Sequence, residues 1–195
     1  MPPRFYAPDL AGSDEPVELP DDESRHLTRV LRLAAGDTVS VFDGRGVEYL
    51  AHVEQAAPGR VIVRPYQSVV PPPEPFVALT VAQALLKGRT FDDVVRDVTM
   101  VGAVAIQPLL TERTQARARD TDRWTRIAIA SAKQCRRAVV PEVRAPGPFR
   151  SLLDGDRSDL RLLLVEPGAA GSGGGLQLLQ GRPPPATATL AVGPE

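Results

Sequence analysis

Five residues, Pro71-Pro72-Pro73-Glu74-Pro75, constrain this chain more than any other stretch. Proline fixes φ and has no backbone N–H, so neither a helix nor a central strand can run through such a run. The segment reads as a stiff, extended linker. Because the hydrophobic pattern differs on its two sides, it also reads as a boundary. Residues 1–70 are expected to form a β-barrel, 71–75 the linker, and 76–195 an α/β domain. At 195 residues and 43% hydrophobic, the chain has enough apolar side chain for two cores of that size.

Before the linker, Thr38-Val39-Ser40-Val41-Phe42 alternates as a half-buried strand does. Asp43-Gly44-Arg45-Gly46 is a turn and Val47 to Val53 resumes the alternation, which gives a hairpin. Pro58-Gly59 turns the chain again before Val61-Ile62-Val63. One short helix opens at Asp21-Asp22-Glu23, with Leu27, Val30 and Leu31 expected inside and Arg25, Arg29 and Arg32 on the opposite, solvent side.

After the linker the pattern becomes strand, helix, strand. Val77 to Leu86 is a near-continuous apolar run of the kind found in a strand covered on both faces. Thr90 and Asp93 are spaced as a capping box, and the helical stripe Phe91, Val94, Val95, Val98 and Val101 ends at Gly102. Val104 to Leu110, Leu160 to Val165 and Thr189 to Val192 read as further buried strands, and a helix is expected over Arg123 to Arg136. This alternation argues a mostly parallel α/β sheet. The glycine-rich stretch 168–175 has no Lys-Ser/Thr and reads as a flexible loop rather than a phosphate cradle.

Several function classes fall away. No apolar run approaches the ~18 residues of a membrane span, and no secretory h-region follows Met1. A single cysteine, Cys135, excludes an internal disulfide, and with only His26 and His52 beside it no metal site is expected. A dinucleotide-binding oxidoreductase is disfavoured because no Gly-x-Gly-x-x-Gly follows a strand. The formal net charge of −1 hides a polarity: residues 1–72 carry a net of −4, residues 113–150 a net of +7. On a helical wheel Arg123, Arg126, Lys133, Gln134 and Arg137 fall on one side, with Arg113, Arg117 and Arg119 just upstream. Guanidinium groups in such a row suit the phosphates of a nucleic acid, although the same row also suits an ordinary solvated face.

In order along the chain, Arg4-Phe5, His26-Leu27-Thr28-Arg29-Val30-Leu31-Arg32-Leu33, Gly36-Asp37, Phe42-Asp43-Gly44, Leu85-Leu86-Lys87-Gly88, Ile106-Gln107-Pro108-Leu109, Thr111-Glu112-Arg113, Lys133-Gln134-Cys135-Arg136-Arg137, Val140-Pro141-Glu142-Val143 and Gly193-Pro194-Glu195 form a set. That set resembles the RsmE-type 16S rRNA (uracil-N3)-methyltransferases of the SPOUT superfamily. The resemblance implies an N-terminal PUA-like RNA-binding β-barrel and a C-terminal SPOUT-type α/β methylase domain with a trefoil knot. It further implies transfer of a methyl group from S-adenosylmethionine to N3 of a uridine in small-subunit rRNA, by a cytoplasmic protein that is a homodimer when full length and has no metal.

Carried onto this sequence, the resemblance puts the cofactor at Gly193, Pro194 and Glu195, where a strand of an open α/β sheet ends. Arg137 and Arg113 are the candidates for orienting the base or its phosphate. Arg4, Arg25, Arg29, Arg32, Arg123, Arg126, Lys133 and Gln134 are the candidates for RNA contact. Three departures stand out. Asp97 and Met100-Val101-Gly102 replace the family's Lys and Glu-Leu-Gly, Arg136 replaces a Gly, and the segments that tie the knot do not appear before Glu195. The chain is therefore read as a C-terminally truncated piece, with an incomplete knot and with weak cofactor binding and little activity of its own. The reading from another class is a non-catalytic RNA-binding protein that has lost its cofactor site.

Overall fold

A computed structural model of the chain describes residues 2–86, 89–112, 121–165, 179–181 and 183–193. Lys87-Gly88, Arg113, Arg117, Arg119, the glycine-rich stretch 168–175, Pro194 and Glu195 lie outside the described residues. The chain forms two compact units. The first comprises Met1–Glu74 and Ile129–Val140, the second Pro75–Ala128 and Pro141–Glu195. The division thus falls inside the proline run, between Glu74 and Pro75, and the end of a later helix counts with the first unit.

In the first unit, strands β1 (Arg4–Tyr6), β2 (Val17–Glu18), β3 (Thr38–Phe42), β4 (Glu48–Ala57) and β5 (Arg60–Val69) form one mixed sheet in the order β1-β3-β4-β5-β2. The β3–β4 and β4–β5 pairs are antiparallel hairpins, as the alternation predicts, whereas β1 lies parallel to β3. The inward side chains Phe5, Leu10, Leu19, Leu27, Val39, Val41, Val53, Val61 and Val63 pack into one core. Asp43 organises the turn after β3 by accepting the Arg45 and Val47 backbone N–H groups at 2.7 and 3.0 Å. Gly44 has φ 78° there, and a side chain at that position would press on the ring of Tyr6. The turn pairs with residues 138–140: Gly46 N–H donates to Ala138 O and Val140 N–H to Gly44 O.

The short helix of this unit differs from expectation. Helix α1 (Asp21–Arg25) widens into a π-helix over His26–Leu31, which Arg32 ends in the left-handed region at φ 56°. Leu27 is fully buried, but Val30 and Leu31 are 65% and 40% exposed. The wheel that put all three inside assumed 3.6 residues per turn. A π turn is wider, so it carries Val30 well off the face that Leu27 occupies, while Leu31, about one π turn after Leu27, stays nearer that face and is the less exposed of the two. Of the preceding turn, Glu23 and Ser24 are buried.

In the second unit, strands β6 (Ala78–Ala84), β7 (Ala105–Leu110), β8 (Glu142–Val143), β10 (Leu160–Leu164) and β11 (Thr187–Val192) form a parallel sheet in the order β10-β11-β6-β7-β8, with β9 (Gly147–Pro148) beside β7. Ala82, Ala84, Leu109 and Ala191 face α4 (Phe149–Gly155), against whose Phe149 and Leu152 they pack. β10 is an edge strand, and Leu163 and Leu164 are exposed rather than buried as their apolar run suggested. Periodicity alone does not tell an edge from a centre. Helix α2 (Thr90–Met100) buries Phe91 against Trp124 of α3 (Thr121–Cys135), their ring centroids 4.6 Å apart. The expected capping box is not formed. Arg89 is the N-cap, which puts Thr90 one position too far into the helix, and the Asp93 carboxylate accepts from Arg96 instead. Gly102 follows at φ 102°, where a Cβ would run into Pro75.

Candidate nucleic-acid interface

The residues expected to meet RNA, to orient the base or to hold the cofactor divide between the two units. Arg4, Arg25, Arg29, Arg32, Lys133, Gln134 and Arg137 belong to the first, Arg123 and Arg126 to the second, and Gly193 to the second. Arg113, Pro194 and Glu195 lie outside the described residues.

Three of the candidate cations of the first unit are held by carboxylates. Arg4 grips Glu48 with two bonds, Nε to Oε1 at 3.0 Å and Nη2 to Oε2 at 2.8 Å. It also donates to the backbone carbonyls of Ala132 and Arg137 at 3.0 and 2.9 Å, and its guanidinium lies 4.1 Å from the Phe42 ring centroid. Ser40 Oγ donates to the same Glu48. Lys133 Nζ donates to both oxygens of Glu23, at 2.8 and 2.7 Å, and stands 5.3 Å from the Phe5 ring. Burial pushes the Glu23 carboxyl above its ordinary value, and the Lys133 charge opposes that shift without cancelling it. Arg137 is 7% exposed and clasps Glu74 of the proline run through Nε at 2.9 Å and Nη2 at 2.5 Å. A cavity of about 580 Å³ opens beside this cluster, lined in part by Arg4, Ser40, Glu48, Lys133 and Arg136.

These contacts correct the single basic stripe read from the wheel. Helix α3 ends at Cys135, and Arg136 turns into the left-handed region at φ 66°, so the wheel does not extend to Arg137. That turn also explains why the resembled family carries Gly at this position, since the residue after a helix commonly adopts αL and Gly does so without a Cβ penalty. On α3 itself, Arg123 pairs with Asp92 while Arg126 and Gln134 are exposed. The carboxylate partners Glu23, Glu48, Glu74 and Asp92 were not singled out in the sequence. Their separations from the cations run from 31 to 110 residues, and no local pattern encodes them.

Arg25, Arg29 and Arg32 are different. All three are exposed, as expected, and none forms an ion pair among the described residues; Arg25 Nε bonds only the backbone carbonyl of Asp21. At the other candidate site, Gly193 lies at the carboxyl end of β11, and its carbonyl accepts from Gln83 Nε2 at 3.4 Å. Among the described residues, nothing stands within 4 Å of where its Cβ would be. Carboxyl ends of strands in open α/β sheets are where such folds bind ligands. Among the described residues no group of three or more His, Cys, Asp or Glu could hold a metal ion, and no helix is long and apolar enough to cross a membrane.

Comparison with known proteins identifies the family. Residues 72–195 match a family described as RNA methyltransferase domain, and residues 19–66 match its RNA methyltransferase PUA domain. The ribosomal RNA small subunit methyltransferase E of Synechocystis sp. is 36% identical over 140 residues, covering 71% of this chain and 46% of that protein. The chain therefore spans about half the length of that relative. Among solved structures, a methyltransferase of Legionella pneumophila in complex with bound SAM superposes with a TM-score of 0.88 at 27% identity, covering all of this chain and 81% of that one. The ribosomal RNA small subunit methyltransferase E of Neisseria gonorrhoeae, bound to S-adenosyl methionine, gives 0.86 at 27% identity over 100% and 80% of the two chains. Their overlap makes the two units a PUA-like half-barrel and a SPOUT-type α/β domain, and with more than half of its residues inside the methyltransferase match the chain belongs to the RNA methyltransferase family.

Proposed function

We propose that this protein methylates N3 of a uridine in the 16S rRNA of the small ribosomal subunit, with S-adenosylmethionine as donor. The observation that carries the reading is the paired match, a methyltransferase domain over residues 72–195 behind a PUA domain over 19–66. The cofactor-bound relatives support the choice of donor. A homodimer and a cytoplasmic location belong to the same reading.

Gly193, with Pro194 and Glu195, is the edge assigned to the cofactor, where Gln83 steadies the backbone. Bound S-adenosylmethionine would supply an electrophilic methyl carbon and leave as its thioether when the S–CH3 bond breaks. The uracil N3 would receive that methyl as it gives up its proton, with negative charge developing on the flanking carbonyl oxygens. Arg137 and Arg113 are assigned to stabilise that charge or to hold the adjacent phosphate. An arginine is too basic to take the proton itself, so it leaves to water or to a group other than these two. Glu74 fixes the Arg137 guanidinium in one orientation and shares its charge, which suits a positioning group better than a mobile clamp.

The test is incubation of small-subunit rRNA with the protein and methyl-labelled cofactor, followed by mapping of 3-methyluridine. Arg137→Ala is expected to lower the rate by about 10²-fold with little change in cofactor affinity. Arg123→Ala is expected mainly to weaken RNA binding. Equal, small effects of both would remove Arg137 from the reacting centre, and methyl groups appearing at a carbon or a ribose would overturn the N3 assignment.

A further inference from the structure

Val30 and Leu31 stand in the open without a packing reason. Exposed side chains of this kind are unremarkable singly, but these two are adjacent, and they are presented by a π-helix, a conformation that is rare and concentrates at functional sites. The turn ends on Arg32 at φ 56°, a left-handed conformation that costs a non-glycine residue stability. A regular α-helix over the same residues would have put Val30 and Leu31 on the Leu27 side, in the core. The chain instead keeps a π turn, which carries Val30 off that face, and a left-handed Arg32 after it, and both aliphatic side chains are exposed, Val30 more than Leu31.

What surrounds them selects the occupant. Arg25, Arg29 and Arg32 are exposed on the same turns and have no carboxylate partner among the described residues, whereas Arg4, Lys133 and Arg137 of this unit are each held by one. An apolar centre with a rim of unneutralised guanidiniums complements a polyanion that also carries apolar faces. RNA has both, in its phosphates and in the face of an unpaired base or ribose; a paired base in an A-form duplex keeps its faces stacked away from protein. We propose that Val30 and Leu31 form the seat of one unpaired RNA nucleoside, with the flanking phosphates on Arg29 and Arg32. This rests on the RNA-methyltransferase reading and adds to it a preference for unpaired RNA at the PUA-like unit.

The experiment measures binding of a labelled oligouridylate and of a blunt RNA duplex to the whole chain over a range of salt. Val30→Ser with Leu31→Ser removes apolar surface at exposed positions and leaves every charge in place. It is expected to lower affinity for the oligouridylate about tenfold, as loss of a few methyl contacts would. The slope of log K against log salt and the affinity for duplex should not change. Arg29→Ala with Arg32→Ala should weaken both ligands and flatten the single-strand slope by about 1.4, two phosphates at ~0.7 each. Oligouridylate affinity unchanged by the serine pair overturns the seat while leaving RNA binding intact. A serine pair that instead converts a dimer to a monomer in sedimentation, at unchanged RNA affinity, assigns the patch to a second copy and also overturns it. Failure of the unaltered chain to bind either RNA removes the RNA reading itself.

Discussion

Lys133→Met should destabilise the first unit, and the penalty should depend on pH in a defined direction. Glu23 has 8% of its side chain exposed and Lys133 20%, so the substitution leaves a carboxylate inside the unit with no cation beside it. Removing one partner of a buried pair costs about 3–5 kcal/mol. The residual exposure of Lys133 and the Glu23 backbone contact to Tyr6 N–H place the expected loss near the lower end, about 3 kcal/mol. Burial already raises the Glu23 pKa above 4.5, and Lys133 is the main influence lowering it, so the variant raises it further. A carboxyl with a raised folded-state pKa contributes stability that is fully present below its unfolded value of 4.5 and is lost as pH rises through the folded value. The deficit of Lys133→Met relative to the unaltered chain should therefore be largest near neutral pH and shrink as pH falls and Glu23 takes up its proton. Urea midpoints followed by far-UV circular dichroism from about pH 4 to pH 8 measure it, with Glu23→Gln/Lys133→Met expected to recover most of the loss. A deficit that is flat across this range, or below about 1 kcal/mol near neutral pH, would refute the claim that the pair is desolvated.

Three further outcomes follow from the geometry. Arg32→Gly should raise stability by about 0.5–1 kcal/mol, the left-handed penalty less the extra freedom of an unfolded glycine, while weakening RNA binding; a lower melting temperature would count against strain at this turn. Gly44→Ala combines φ 78° with pressure on the Tyr6 ring and should cost about 2 kcal/mol or more in thermal unfolding, and a neutral result would show that the turn can relax. Phe91→Ala empties the space against Trp124 and should cost about 3–5 kcal/mol, with a red shift of Trp124 emission as the readout; unchanged emission would mean that α2 and α3 do not depend on this contact.

Much of this fold was legible because strands announce themselves by alternation. Thr38 to Val63 gave the β3–β4–β5 meander, and the apolar runs at Val77, Val104 and Leu190 gave three neighbouring strands of a parallel sheet. β8 and β9 are two residues each and carry no period to detect. Val30 and Leu31 were misplaced because a wheel presupposes the helix type, and no residue from His26 to Leu31 marks a π turn. At the candidate interface the cations were visible as residue types, but their freedom was not. Arg25, Arg29 and Arg32 look no different in sequence from Arg4 or Arg137, and only the fold shows which have met a carboxylate. The resemblance located Arg137, while the Glu74 that holds it lay in a segment read only as spacer.

The residues of the first unit are not contiguous, and this sets an order of events during synthesis. When Glu74 leaves the ribosome, the five strands of the half-barrel are all present, yet the residues 129–140 that count with them are still unmade. Until then Glu23 has no Lys133, the Arg4 guanidinium lacks the carbonyls of Ala132 and Arg137, and the Gly44 turn has no strand-like partner. A nascent chain of that length has Glu23 without its cation, and helix α3 has to form before the half-barrel is complete. The intervening 54 residues, Pro75–Ala128, must therefore emerge without trapping that open edge. The proline run at the boundary can join neither a helix nor the centre of a sheet, so it cannot itself fill that edge.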